Sequence, residues 1–198
     1  IKNALSSGIP ARNVELENEQ IKPFKLLQLL TAKPLLYVCN VDEGSAASGN
    51  KYSKLVDEMV KDSKASSVII SAAIEEEISQ LTDSQEMDLF LKEMDLNEAG
   101  LDRLIKAGYG LLGLQTYFTV GPKETRAWTI RVNTLAPMAA GVIHGDFENG
   151  FIRAETVAYD DYLQYQGESG AREAGKLRSE GKSYIVRDGD VLNFLFNN

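Results

Sequence analysis

Two short segments have residue types and spacing that could do chemistry: Asn40-Val41-Asp42-Glu43 and Ser71-Ala72-Ala73. The first lies just past the apolar run Leu35-Leu36-Tyr37-Val38-Cys39. The second closes another run, Val68-Ile69-Ile70, and begins thirty-one residues after Asn40. Continuous apolar runs of this length read as strands buried on both faces, and α/β sheets bind ligands at the carboxyl ends of such strands. Paired polar loops there suit a purine base. An Asn amide can use the N7 and exocyclic amino edge, a carboxylate can accept from base N–H groups, and a Ser-Ala turn offers backbone N–H groups from the other side. The candidate base contacts are Asn40, Val41, Glu43, Ser71, Ala72 and Ala73. Alone, the tetrad reads as a strand ending in a polar turn; the second strand and triplet at this spacing put base binding ahead.

Three segments imitate phosphate-binding loops. Gly108-Tyr109-Gly110-Leu111-Leu112-Gly113 matches GxGxxG, a motif that needs a strand before it and a helix after it. Here a helical segment precedes and β-rich sequence follows, so the glycines read as ending a helix. Gly170–Lys176 matches GxxxxGK, but Leu177 follows and has no hydroxyl for magnesium. Gly181-Lys182-Ser183 supplies the ending without a glycine five residues earlier. The chain is expected to hold no phosphate cradle.

His144 is the only histidine and has no partner cysteines, so no metal centre is expected. It reads as a polar residue at a helix end or as an RNA or phosphate contact, and no catalytic residue is assigned. Glu75-Glu76-Glu77 reads as a solvated helix start, and Trp128 as core or half-core. Arg172, Lys176, Arg178 and Lys182 lie near Tyr162, Tyr165 and Tyr184 in sequence. Cations with aromatic rings suit single-stranded RNA; a solvated helix and loop face fits the same residues equally well.

These residues need elements to position them. Ile21, Phe24, Leu27 and Leu30 repeat at threes and predict helical turns. Lys51 to Lys64 carries Tyr52, Leu55, Val56, Met59 and Val60 at helical spacing, and residues 84–107 read as further helices. Strand, loop, helix, strand, helix is α/β in character, yet two parallel strands cannot make a self-sufficient doubly wound sheet. From Leu114 the texture changes. Gln115–Val120 and Trp128–Val132 flank a turn, Ala136–His144 is a short helix opened by Pro137, and Phe151–Tyr159 alternates as a strand. Asp160–Tyr165 is a second short helix; Ser183–Arg187 and Val191–Phe196 are expected strands around Asp188-Gly189-Asp190. This layout predicts a small mixed sheet of β-grasp, ubiquitin-like type. Its expected core is Phe118, Trp128, Ile130, Val132, Ile143, Phe151, Val157, Ile185, Val191 and Phe194.

Composition sets the outer bounds. The 198 residues are 43% hydrophobic and 25% charged, which excludes a disordered, collagen-like or coiled-coil chain. No apolar run reaches the length of a membrane span. One cysteine, Cys39, permits no intrachain disulfide and fits a reducing compartment. The start Ile1-Lys2-Asn3 has neither a signal-peptide pattern nor an initiator Met, and reads as the beginning of a piece of a longer chain. The net charge of −8 makes the whole chain a poor electrostatic glue for nucleic acid. That acidity is concentrated in residues 1–114, with 12 basic and 18 acidic residues (net −6), against 9 and 11 (net −2) in residues 115–198.

Leu35–Glu43, Ser71-Ala72-Ala73-Ile74-Glu75 and nearly all of 100–198 together resemble the YchF/Obg-like ATPase family. The most specific stretches are Leu114-Gln115-Thr116-Tyr117-Phe118-Thr119, Arg126-Ala127-Trp128-Thr129-Ile130, Ile143–Ala154 with His144-Gly145-Asp146-Phe147 inside it, and Gly189-Asp190-Val191-Leu192-Asn193-Phe194. The resemblance implies the α/β remnant of a P-loop nucleotide-binding domain followed by an α+β β-grasp domain of the TGS type. Residues 1–33 would be the end of a helical insertion and its return segment, 34–113 the base-binding part of the P-loop domain, and 114–198 the TGS domain. It further implies the C-terminal portion of a cytoplasmic ATP- and GTP-binding hydrolase, with a TGS surface for the ribosome, RNA or a protein partner and no membrane association. Magnesium and the phosphates would be held by upstream residues, so this segment alone is expected to be inactive. The other reading is a stand-alone TGS-type RNA or protein interaction module without enzymatic activity. Against the Asn-Lys-x-Asp pattern that reads guanine in GTPases, this chain has Val41 and Glu43. Glu adds a methylene and displaces the carboxylate that guanine's two donors require, and adenine lacks those donors; tolerance of ATP follows.

Overall fold

A computed structural model describes residues 1–61, 63 and 65–197 and divides into two compact units, Ile1–Leu112 and Gly113–Asn198. The expected helix end at Lys64 lies outside the described residues.

The first unit opens with α1 (Lys2–Ser6) and α2 (Asn18–Leu26). Leu26, Leu27 and Leu30 are exposed, so the threefold repeat marks a helix without a buried stripe. β1 (Leu35–Asn40), α3 (Lys51–Lys61) and β2 (Ala65–Ile70) follow. The two strands pair in parallel, with Asn40 opposite Ile70. Burial of β1 on both faces is not met: Val38 is 48% exposed. Among the described residues β1 has a strand neighbour on one edge only, and two strands leave apolar surface uncovered. α3 starts where Asn50 turns back on the chain. Its Oδ1 accepts from the backbone N–H groups of Tyr52 and Ser53, while the Asn50 N–H donates to Ser53 Oγ.

Next come α4 (Ala72–Gln80), α5 (Ser84–Glu93) and α6 (Gly100–Leu112). Ile74 and Ile78 of α4 and Leu91 of α5 form a buried cluster with Ala46 and with Leu96 and Ala99 of the segment between α5 and α6. Gly108 and Gly110 lie inside α6, and the left-handed turn that ends it is at Gly113 alone, with φ +62°.

The second unit contains β3 (Leu114–Val120), β4 (Thr125–Arg131), α7 (Ala136–Ile143), α8 (Gly145–Asn149), β5 (Phe151–Ala158), α9 (Tyr159–Gln164), α10 (Glu168–Glu173), β6 (Arg178–Glu180) and β7 (Asp190–Phe196). Its sheet has the order β4-β3-β7-β5-β6, in which β3 and β7 run parallel and the other neighbours antiparallel. Tyr117, Ile130, Phe151, Leu192 and Phe194 line the core with Ala136, Ala139 and Ala140 of α7. The sheet alternates side chains between faces, so Tyr117 takes the core position next to the expected Phe118. Phe118 lies on the opposite face, against Tyr159 at 5.6 Å.

Two further expectations differ here. Ser183–Arg187 is not a strand, and the third antiparallel partner is β6. Backbone groups of 184–186 instead bond to the segment before α7: Ala136 N–H donates to the Tyr184 carbonyl and Val186 N–H to that of Thr134. Val132 and Ile185 are about half exposed, so neither joins the core. The connection around Gly170 contains the helix α10.

No helix among the described residues is long and apolar enough to cross a membrane, and no described group of His, Cys, Asp and Glu side chains is arranged to hold a metal ion.

Candidate functional site

Parallel pairing of β1 and β2 brings the two sequence-predicted loops side by side. The ladder runs one residue past the strands, because Val41 N–H donates to the Ile70 carbonyl at 2.9 Å. Asn40 and Ser71 thereby leave the sheet as neighbours. Across the gap, Asn40 Oδ1 accepts from the Ala72 backbone N–H at 3.0 Å. A backbone N–H can only donate, so the amide orientation is fixed, and Nδ2 is left to donate elsewhere. The Asn40 amide therefore does two jobs: it ties the loops together and presents a donor beside the tie.

The other candidates divide by burial. The Val41 side chain is buried and contributes packing, so its contribution to a ligand would be through the backbone. Glu43 is exposed and opens a short 3-10 turn over Glu43–Ser45, where its carbonyl accepts from the Ala46 N–H at 3.1 Å; its carboxylate makes no hydrogen bond or ion pair among the described residues. Asp42, between them, accepts from the Ser45 hydroxyl at 2.8 Å and shapes that turn. Ser71 is 2% exposed; it precedes α4, but its hydroxyl caps nothing and has no partner among the described residues. Ala72 and Ala73 are exposed on the first helical turn, where N–H groups have no acceptor within the helix. Asn40 takes that of Ala72, and that of Ala73 stays available to a ligand.

Glu75 departs from expectation. It is not a solvated helix start: Oε1 accepts from the Gly100 N–H at 2.7 Å and Oε2 from the Leu101 N–H at 3.0 Å. Ala99, the residue before α6, has no side chain able to cap it. The only signal in sequence was an acidic residue one turn into a helix and, twenty-five residues later, a helix whose preceding residue cannot cap it. A groove of 970 Å³ lies elsewhere in the first unit, lined by Arg12, Phe24, Leu29 and Pro34 among others, and contains none of these residues.

In the second unit the four predicted cations do not gather into an uncompensated patch. Arg172 contacts Glu168 at 2.8 Å and Glu155 at 3.4 Å, and the bond to Glu168 is the main reason its guanidinium holds its proton more tightly than usual. Lys176 pairs with Asp161 at 3.2 Å. Arg178 meets Glu180 at 2.9 Å and the buried Asp190 at 3.3 Å. Lys182 makes no ion pair among the described residues. Sequence spacing could place these cations near one another, but only the fold shows that carboxylates accompany three of them. His144 is exposed and precedes α8, where its Nδ1 accepts from the Asp146 N–H at 3.2 Å.

Residues 114–197 match the family model YchF-GTPase_C, described as a protein of unknown function (DUF933). The chain is 52% identical over 199 residues to the Ribosome-binding ATPase YchF of Bacillus subtilis, a match covering 100% of this chain and 54% of that protein. It is 42% identical over 172 residues to the rat Obg-like ATPase 1, covering 85% of this chain and 43% of the relative. The solved structure of the Schizosaccharomyces pombe YchF GTPase superposes with a TM-score of 0.78 at 34% identity, over 96% of this chain and 50% of that one. The chain thus spans about half the length of these relatives. The α/β architecture, the matched stretches and these identities agree: the chain is similar along its length to a C-terminal portion of YchF/Obg-like proteins.

Proposed function

We propose that the first unit supplies the purine-base half of a nucleotide site in an ATP- and GTP-binding hydrolase, and that the second unit, 114–198, is a TGS-type β-grasp domain that engages the ribosome. Residues 34–113 are then the base-binding part of a P-loop domain, and 1–33 the return from a helical insertion. The observation that carries this reading is the Asn40–Ala72 hydrogen bond, which joins two loops at the carboxyl ends of adjacent parallel strands. Asn40 Nδ2 would donate to purine N7, the free Ala73 N–H would serve the other side of the base, and Glu43 would stand where a guanine-reading carboxylate would be one methylene shorter. The relatives' names support both nucleotides, one reading ATPase and another GTPase. Triphosphate, magnesium and the hydrolytic step would fall to residues outside 1–198, within the additional length that relatives have. A ribosome partner, suggested by the name of the Bacillus relative, goes with a cytoplasmic location.

The test uses the natural gene product. Asn40→Ala should weaken ATP and GTP alike, by about tenfold, through loss of a shared contact and of the loop tie. Glu43→Asp should move preference toward GTP. Val41 is left alone, because a lysine there would have to thread its stem through a buried position. Calorimetric dissociation constants decide: unchanged binding in a folded Asn40→Ala protein would remove the base-site reading.

For the partner surface, Arg172, Lys176 and Lys182 are the cations to neutralise together, with Arg178 retained. Ribosome co-sedimentation should weaken and its salt dependence flatten. Unchanged association would move the interface elsewhere, with His144–Phe147 next.

A further inference from the structure

We infer that Glu75 is a positioning residue for the purine site, holding the first turn of α4 in register by clasping the N-terminus of α6. The inference rests on the base-site reading above. α4 begins with the two alanines that face the proposed base, and its first turn is held at two points. Asn40 Oδ1 holds the Ala72 N–H at one end. One turn later both Glu75 carboxylate oxygens accept from consecutive N–H groups of a different helix, at 2.7 and 3.0 Å. Two acceptors on one rigid carboxylate fix both the axial position of α4 and its rotation, and rotation decides where the Ala73 N–H points.

The partner side is shaped for this contact. Gly100 is buried, and a Cβ there would come within 2.8 Å of Glu75 Oε1 and 2.9 Å of Ile70 Cγ1. Any larger residue would displace the carboxylate or the last residue of β2, which leads directly into Ser71. α6 is itself seated on β1 and β2, and Ala99, just before it, packs with Ile74 and Ile78 of α4 in one apolar cluster. The clasp therefore refers the base loop to the sheet that also carries Asn40. Charge suits the position as well, since a carboxylate at a helix N-terminus meets the positive end of the helix dipole.

The experiment compares Glu75→Gln, Glu75→Ala, Gly100→Ala and Asn40→Ala in the natural gene product. Gln keeps the shape and one acceptor, while Gly100→Ala pushes the carboxylate away with its charge intact and serves if a Glu75 variant is unstable. Binding of ATP and of GTP should weaken by the same factor, about tenfold for Glu75→Ala and less for Glu75→Gln. Equal losses are expected because the loop moves and the base-reading groups are untouched. Amide hydrogen exchange at Gly100 and Leu101 should accelerate in the same order. The inference is overturned if those amides lose protection in a folded variant while both dissociation constants stay at wild-type values. It is also overturned if the loss falls on one nucleotide only. If Asn40→Ala weakens binding and the clasp variants do not, the base site stands and the clasp falls; if Asn40→Ala has no effect, both fall.

Discussion

Tyr117→Ala should cost the second unit about 3–5 kcal/mol of stability, the range for emptying a large aromatic position in a packed core. Tyr117 is fully buried. Its ring stacks at 6.5 Å on Trp128 and meets Phe194 edge-on at 5.8 Å, and its hydroxyl donates to the Ala139 carbonyl at 2.9 Å. The side chain therefore joins β3, β4, β7 and α7 at one point. Tyr117→Phe keeps the ring and should cost only about 1 kcal/mol. The same burial raises the phenol well above its ordinary value of 10.0. As pH rises, the unfolded chain gives up that proton first while the folded chain retains it. Stability is thus whole below about pH 10 and falls above it, by up to about 1.4 kcal/mol per pH unit. Tyr117→Phe has no such proton and should show a shallower alkaline decline. Tyr184 is raised in the same direction, by burial first and then by its bond to Asp190, and accounts for part of the slope that remains. Urea unfolding of the whole chain, followed by the fluorescence of its single tryptophan, Trp128, reads the second unit directly. An alkaline slope identical in wild type and Tyr117→Phe would refute the assignment.

Asp190→Ala should be about as damaging, at about 3–5 kcal/mol, because it strands the groups that converge on a buried carboxylate. Asp190 is 2% exposed. Its Oδ2 accepts from the Tyr184 hydroxyl at 2.7 Å and from the Arg187 backbone N–H at 2.8 Å, while Oδ1 accepts from Arg178 at 3.3 Å. Arg178 in turn reaches the Tyr184 oxygen at 3.2 Å and lies over its ring. This network fastens β6 and the 184–187 segment to the start of β7. Asp190→Asn keeps one acceptor and should lose less. Arg178→Ala should also destabilise the unit, which is why Arg178 is kept when the cations are tested for ribosome binding: a weakened association in its absence would report folding and contact together. Thermal unfolding with Trp128 emission distinguishes the variants, and an Asp190→Ala protein as stable as wild type would show that the network is dispensable.

The sequence alone determined the features that depend on local pattern. Apolar runs of strand length, helical spacing in 51–64, Pro137 at a helix start and the alternation of 151–159 gave elements close to those observed, because propensity and burial periodicity act within a few residues. The spacing of Asn40 and Ser71 was enough to place both at strand ends. Tertiary structure decided everything that depends on residues far apart in the chain. It chose Tyr117 over Phe118 for the core, because pairing with both β4 and β7 sets which face of β3 meets α7. It turned Glu75 from a solvated acid into the cap of a helix that starts twenty-five residues later, since an uncapped N–H takes whichever acceptor the packing brings. It supplied Arg172, Lys176 and Arg178 with carboxylates from Asp161, Glu155, Glu168, Glu180 and Asp190. It also made Asn40 the tie between two loops, a bond to Ala72 across thirty-two residues that no local pattern encodes. Side-chain type limits which hydrogen bonds and ion pairs are possible; only chain folding sets which partners stand within 3 Å.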